Sequence, residues 1–435
     1  MRRILLLGLR SYLNRTRIVL SHRTASAYHR LCRSASLLAI CLGCAVALSF
    51  AQQSAAPQEP ATASKQAVAN ASTPVKVPAA EQANGGNAEL TRLARQQGVS
   101  DSAALDWVLA NSGPLTGNAR AGELRIAFTI TAAEGWWDKA GGGKLTWHDA
   151  PAGNMHLRIF VADLADGRLV PGLSVRATLL DSNGNEQSTP ADFGWYPLLN
   201  AYGGNLPLDA DSSYTLRVTV DPLPEHGPAT GEHLAHATVA EFPPVQISRD
   251  TLAVLPLATA TSAADEAELL KPCNAALTAA ITALWQQSSS GAEQASGDYF
   301  AGFALDSSAL ITTIPGAELH IRNMLDLSGN SRVRVVVFPR DSRTGRLIPG
   351  LKPTADLVAA DGKQYGPGEL PLTWHAWFNH YGRGVRAPRN GVYKLRVHFD
   401  APSFRRWGRQ SERFAAPVDV EFDNVTLKAK AGGKN

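Results

Sequence analysis

The residues of this chain best suited to chemistry are histidines. Nine follow residue 51, and four of them, His320, His375, His380 and His398, fall in the last third of the chain. Imidazole is a common protein ligand for copper, zinc and iron. His375 and His380 flank an aromatic run, TWHAWFNHYG. At that separation a strand puts the two rings on opposite faces and a helix puts them ~140° apart. A loop or bend through Phe378-Asn379 could bring both rings to one centre; otherwise His380 reads as a histidine bonded to a loop carbonyl and His375 as an interface aromatic. His398 and His320 occupy the polar positions of alternating segments, which reads first as solvent-facing. Met324 is a soft donor suited to Cu(I). Met155 and His156 are adjacent, so on a strand they point to opposite faces. His226, His233 and His236 form a loose cluster with Glu225 and Glu232, a weaker second metal candidate.

Other chemistries find little support. There is no Gly-x-Ser-x-Gly elbow, His-Glu-x-x-His, phosphate loop or dinucleotide fingerprint, and no carboxylate pair stands out; the chain is expected not to be an enzyme. Trp136-Trp137 beside Gly141-Gly142-Gly143 suggests either a sugar-stacking platform or a loop anchored into a sandwich. Of the four cysteines, Cys32, Cys41 and Cys44 precede residue 52, and Cys273 alone builds neither a disulfide framework nor a Cys-rich zinc site.

The elements that position these residues come from an internal repeat. GNMHLRIFVADLADGRLVPGLSVRATLLDSNGN, from Gly153, answers GNSRVRVVVFPRDSRTGRLIPGLKPTADLVAADGK, from Gly329. Trp195 to Gly203 answers Trp374 to Gly382, and Tyr214 to Asp221 answers Tyr393 to Asp400. Tyr393, Leu395, Val397 and Phe399 alternate with Lys394, Arg396 and His398, the period of a half-buried strand. Asn183-Gly184 and Asp361-Gly362 read as hairpin turns. The expected fold is all-β: two tandem immunoglobulin-like β-sandwich domains, residues 115–248 and 296–430, with a short helical linker. A helical region over 87–113, broken at Gly98, precedes the first. The linker, 249–295, carries a helix over 274–287 with Pro272 just ahead of it. Tyr196, Ala201 and Thr219 replace His375, His380 and His398 in the first copy, which makes it the degenerate copy and the second the candidate metal binder.

The remaining segments speak to compartment. Residues 1–51 hold eight arginines and no acidic residue, leaving 34 basic against 38 acidic side chains in the rest. That balance argues against a nucleic-acid partner. Leu37–Phe50 is an apolar stretch behind Arg30 and Arg33, closed by Ser49-Phe50-Ala51, the pattern of a secretory signal. A lipoprotein or an uncleaved anchor is the lesser alternative. Residues 52–86 are rich in Ala, Gln, Pro, Ser and Thr and read as a disordered linker.

The second copy resembles the periplasmic iron-transport-associated proteins, immunoglobulin-like metal binders that work beside a high-affinity iron permease. The resemblance rests on Trp374 to Trp377, His380-Tyr381-Gly382, Tyr393 to Val397, Pro402-Ser403-Phe404 and Pro417 to Phe422. It implies a periplasmic protein that binds copper or iron, with an inner-membrane iron permease as partner and a homodimer left open. It assigns His380 as a ligand; His375, His398 and His320 are the candidates to complete the set. Two departures accompany it. The family's ligand histidine after Pro-x-Phe is Trp407 here, following Arg406. The family's methionine ligand has no match near Thr373 and Trp374. The alternative is a metal-free β-sandwich with a structural, adhesion or polysaccharide-binding role.

Overall fold

The computed structural model describes residues 85–140, 144–207, 212–222, 234, 236–248, 250, 263–306, 332–375, 377–386 and 390–428. All belong to one compact unit, Val75–Asn435. Helix α1 (Gly85–Asn111) leads into the first copy of the repeat. That copy supplies β1 (Thr116–Ala121), β2 (Leu124–Ala132), β3 (Trp136–Ala140), β4 (Lys144–His148), β5 (Asn154–Asp163), β6 (Val175–Leu180), β7 (Glu186–Pro190), β8 (Phe193–Trp195), β9 (Ala201–Pro207), β10 (Ser212–Val220), β11 (Thr238–Glu241) and β12 (Val245–Ile247). Helix α2 (Ala263–Gln287) connects to the second copy. There follow β13 (Ser290–Ser296), β14 (Tyr299–Asp306), β15 (Arg332–Asp341), β16 (Thr354–Ala359), β17 (Gln364–Glu369), β18 (Leu372–Thr373), β19 (His380–Arg386), β20 (Gly391–Phe399), β21 (Arg405–Trp407) and β22 (Val418–Leu427).

Each copy builds a sandwich of two sheets. In the first, β1-β2-β5-β9-β8 faces β11-β10-β6-β7; in the second, β13-β14-β15-β19-β18 faces β17-β16-β20-β22. The period-two pattern holds: Tyr393, Leu395, Val397 and Phe399 are buried while Lys394, Arg396 and His398 are not. Their inner faces interdigitate in two separate cores, one around Phe128, Ile159 and Val218, the other around Phe303, Val337 and Leu395. Gly184 and Gly362 take the positive φ that their hairpin turns require.

The strands β5 and β15 are buried on both faces, because the helices cover their outer sides. Leu105 and Val108 of α1 pack with Ala127 and Phe160 of the first copy. Leu90 and Leu93 of the same helix, with Leu277, Ile281 and Leu284 of α2, pack on Val336 and Phe338 of the second. Two expectations are corrected here. Gly98 does not break the helix: a Cβ there would lie 1.6 Å from the Asp166 carbonyl oxygen, so the missing side chain admits the 166–168 loop against α1. Pro272 lies inside α2 rather than ahead of it. The lost backbone bond, about 3 kcal/mol, is offset by burial of Leu270, Ala276, Leu277, Ala280 and Ile281 on either side.

The copies are not merely tandem. Strand β21 of the second copy leaves its own sandwich and inserts between β8 and β3 of the first copy's sheet, parallel to β8 and antiparallel to β3. The tryptophans that begin the matching blocks are exchanged: Trp195 is buried in the second core and Trp374 in the first. The Gly-Arg-Leu-Val/Ile-Pro-Gly-Leu loops complete the exchange. Arg168 donates to the His375 carbonyl at 2.9 Å and lies over the Trp374 ring at 4.6 Å. Arg346 donates to the Tyr196 and Leu198 carbonyls at 2.8 Å and lies over the Trp195 ring at 4.1 Å. The repeat therefore folds into a pseudo-two-fold pair within one chain.

Candidate functional site

The Pro-Gly-Leu loop of each copy is anchored by the tyrosine of its Tyr-Gly dipeptide. The Tyr202 hydroxyl donates to the Val170 carbonyl and accepts from Leu173 N–H. The Tyr381 hydroxyl does the same with Ile348 and Leu351. Burial raises both phenol pKa values, so both stay protonated and able to donate. This anchor holds the start of β19, and with it His380.

His375 and His380 are brought together. The segment between β18 and β19 bends as the spacing requires, and the two ring centroids lie 5.5 Å apart with planes at 56°. Both rings are 3% exposed, among Trp377, Phe378 and Phe338. Helix α1 roofs this layer, with Trp377 Nε1 donating to Thr91 Oγ1 at 3.2 Å. Burial, then the guanidiniums of Arg334 and Arg168, press the His375 pKa down to about 3. Burial and Arg334 hold His380 well below its usual range. Both rings are neutral imidazoles at any physiological pH, the protonation state a metal requires.

Three of their four nitrogens have partners within the protein. His380 Nδ1–H donates to the Phe378 carbonyl at 3.3 Å, and Arg334 Nη2–H donates to His380 Nε2 at 3.1 Å and to Thr373 Oγ1 at 3.2 Å. Trp377 N–H donates to His375 Nδ1 at 3.3 Å. The pair fits a metal ion in ligand type, protonation and spacing: two imidazoles on one tetrahedral ion have centroids about 5 Å apart for bonds near 2 Å. It falls short in donor number. Among the described residues no group of three or more His, Cys, Asp or Glu is placed to hold an ion.

The other candidates lie apart. His398 sits on β20 in the opposite sheet, 43% exposed, bonded to Asp419 Oδ1 at 2.8 Å and near Asp400. His320, Met324, His226, His233, Glu225 and Glu232 lie outside the described residues; His236 is exposed. Trp407, at the family's histidine position, contacts the first copy, its ring centroid 4.4 Å from that of His156. Its neighbour Arg406 is spent on the carbonyls of Pro402, Phe404, Arg413 and Phe414. Trp136 and Trp137 anchor the β3–β4 hairpin, Trp136 stacked on His148 and Trp137 against Trp147.

A second buried polar cluster occupies the matching place in the first copy. Met155 enters the core and His156 points the other way, its Nδ1 2.8 Å from Asn205 Oδ1 and its Nε2 2.9 Å from the Tyr196 hydroxyl. Arg158, two residues further along its strand than the counterpart of Arg334, forms a buried ion pair with Glu134 and lies over the Tyr196 ring. Desolvation lowers the His156 pKa to about 4. Arg334 and Glu134 were not anticipated as site residues. The available signal was an arginine five residues after the glycine that opens each copy, Arg158 after Gly153 and Arg334 after Gly329, within a largely apolar strand.

No family model matches the chain, and no curated protein matches it. Solved structures do. A copper-bound variant of P19 from Campylobacter jejuni shares 14% identity over 31% of this chain and 96% of its own, at a TM-score of 0.25. FetP from uropathogenic Escherichia coli shares 18% identity over 32% of this chain and 95% of its own, at 0.23. A DUF4426 family protein from Pseudomonas aeruginosa shares 10% identity over 31% and 97%, at 0.20. Among the described residues no helix is long and apolar enough to cross a membrane.

Proposed function

We propose that this is a periplasmic metal-binding protein for copper or iron, and that His375 and His380 are the core of its site. The observation that carries the reading is the placement of two neutral, buried imidazoles at a spacing suited to one ion. Bound copper or iron would supply a cation for ligand exchange and no bond-making catalysis is invoked. Arg334 holds the His380 Nε2 lone pair, so that guanidinium must turn away before the nitrogen can serve as a ligand. Arg168 fixes the His375 carbonyl from the other copy and so ties the loop's position to the pairing of the two sandwiches. In this reading the protein serves iron uptake beside an inner-membrane permease, as the motif resemblance implies.

One observation favours the rival, a metal-free β-sandwich module. The His380 Nε2 and His375 Nδ1 acceptors are already spent on protein donors. Titration of Cu(II) and Fe(II) into the whole chain separates the two. Stoichiometric binding lost in both His375→Ala and His380→Ala supports the metal site. Absence of binding at about micromolar metal supports the metal-free module, and binding unaffected by either variant removes His375 and His380 from the site.

A further inference from the structure

A cavity of about 130 Å3 lies where the two sandwiches and the two helices meet. Its walls come in pairs from the repeat: Leu169 with Leu347, Arg168 with Arg346, Asn200 with Asn379. It is therefore centred between the copies, and α1 and α2 close one side with Asp101, Cys273 and Leu277. Most of its polar lining is satisfied. Arg346 is spent on the Tyr196 and Leu198 carbonyls. Asp101 accepts from Cys273 Sγ at 3.0 Å and from Leu169 N–H at 3.2 Å. Asn200 Oδ1 accepts from Tyr196 N–H.

Two buried atoms of lining residues are left over. Among the described residues Arg168 Nη1 and Asn379 Oδ1 have no hydrogen-bond partner, and Arg168 is only 2% exposed. A guanidinium N–H held from water without an acceptor costs about 1–3 kcal/mol or more. A carboxylate is the strongest acceptor for that N–H. Arg168 gives Nε and Nη2 to Asp166 and leaves Nη1 over, whereas Arg346 donates to carbonyls and a hydroxyl and has the carboxylates of Asp341 and Glu266 near it. The Asp101 carboxyl, pushed up by burial, already takes the Cys273 thiol bond. The rest of the wall is leucine, proline and valine with Phe193 and Tyr202, and two further polar side chains, Gln97 and Asn274. An apolar cavity of ~150 Å3 accommodates a benzene-sized molecule.

We propose that this cavity binds a small organic carboxylate of about the size of benzoate. The carboxylate meets Arg168, the apolar body lies against Leu169, Leu277 and Leu347, and a hydroxyl on the ligand would satisfy Asn379. The site is independent of any metal, yet it touches the imidazole pair through two residues. Arg168 also holds the His375 carbonyl, and Asn379 adjoins His380 in the chain.

The test is calorimetric titration of benzoate into the whole chain, with benzamide as the uncharged control. Wild type is compared with Arg168→Met and with Leu277→Phe, which fills the cavity and leaves both guanidiniums in place. The expected result is benzoate binding that weakens at least about tenfold, or 1.4 kcal/mol, in Arg168→Met. It is lost in Leu277→Phe, and benzamide binds at least about tenfold more weakly than benzoate. Leu277→Phe keeps the test valid if Arg168→Met does not fold. No benzoate binding at about 10 mM, equal binding of benzamide, or binding unchanged in Leu277→Phe overturns the proposal.

Discussion

Each copy of the repeat buries an arginine on the outer face of its central strand, Arg158 two residues further along in register than Arg334, and surrounds it differently. In the first, Arg158 meets the carboxylate of Glu134, and His156 beside it is closed by Asn205 and Tyr196 under the indole of Trp407. In the second, Arg334 meets an imidazole and a hydroxyl, His380 and Thr373. Glu134 neutralises its arginine directly. His380 cannot, so Arg334 presses the histidine toward its neutral form instead. The same scaffold thus holds one locked, charge-balanced network and one pair of neutral imidazoles. What differs is the groups that each guanidinium meets.

The largest effect comes from breaking the lock. Glu134→Gln leaves Arg158 buried without its countercharge and should cost about 3–5 kcal/mol in urea unfolding. Thr373→Val, which removes only a hydroxyl beside Arg334, should cost about 1 kcal/mol. Equal losses would mean that the two clusters are equivalent.

Acid separates the copies next. The buried histidines are neutral in the fold and titrate near 6.5 in the unfolded chain. Below that pH the unfolded state binds more protons, so stability falls as pH drops, by about 1.4 kcal/mol per unit for each ring. His156 stops contributing near pH 4, whereas His375 continues to about 3. Unfolding of His375→Gln measured from pH 7 to 3 should therefore show a shallower slope than wild type, down to the lowest pH. An unchanged slope would place the His375 ring in water.

The smallest change is also the most specific. Arg334→Met frees His380 Nε2 and should strengthen Cu(II) binding about tenfold, near 1.4 kcal/mol, in a competition titration. Arg158→Met in the first copy should not strengthen it.

Much of the fold was legible because duplication doubles every signal. The alternation around Tyr393–Phe399 and the hairpin glycines at 184 and 362 report local geometry, which neighbouring residues determine. The mismatch of the His375–His380 spacing with either regular element left a bend between them as an option, and the two rings do lie side by side. What was not legible was the exchange between copies. Trp195, Trp374 and β21 each satisfy the pattern of their own copy, and only packing shows that they serve the other. Gly98 misled for the same reason: its missing Cβ answers a loop distant in sequence. Arg334 escaped notice because a charge on a buried strand has meaning only once its partner is known.

The central claim is that the second copy alone is a metal site. The direct measurement is the Cu(II) stoichiometry of the whole chain, compared among wild type, His380→Ala and His156→Gln. The account predicts one ion per chain, retained in His156→Gln and lost in His380→Ala. No ion in the wild type, or an ion lost with His156 and kept without His380, would contradict it.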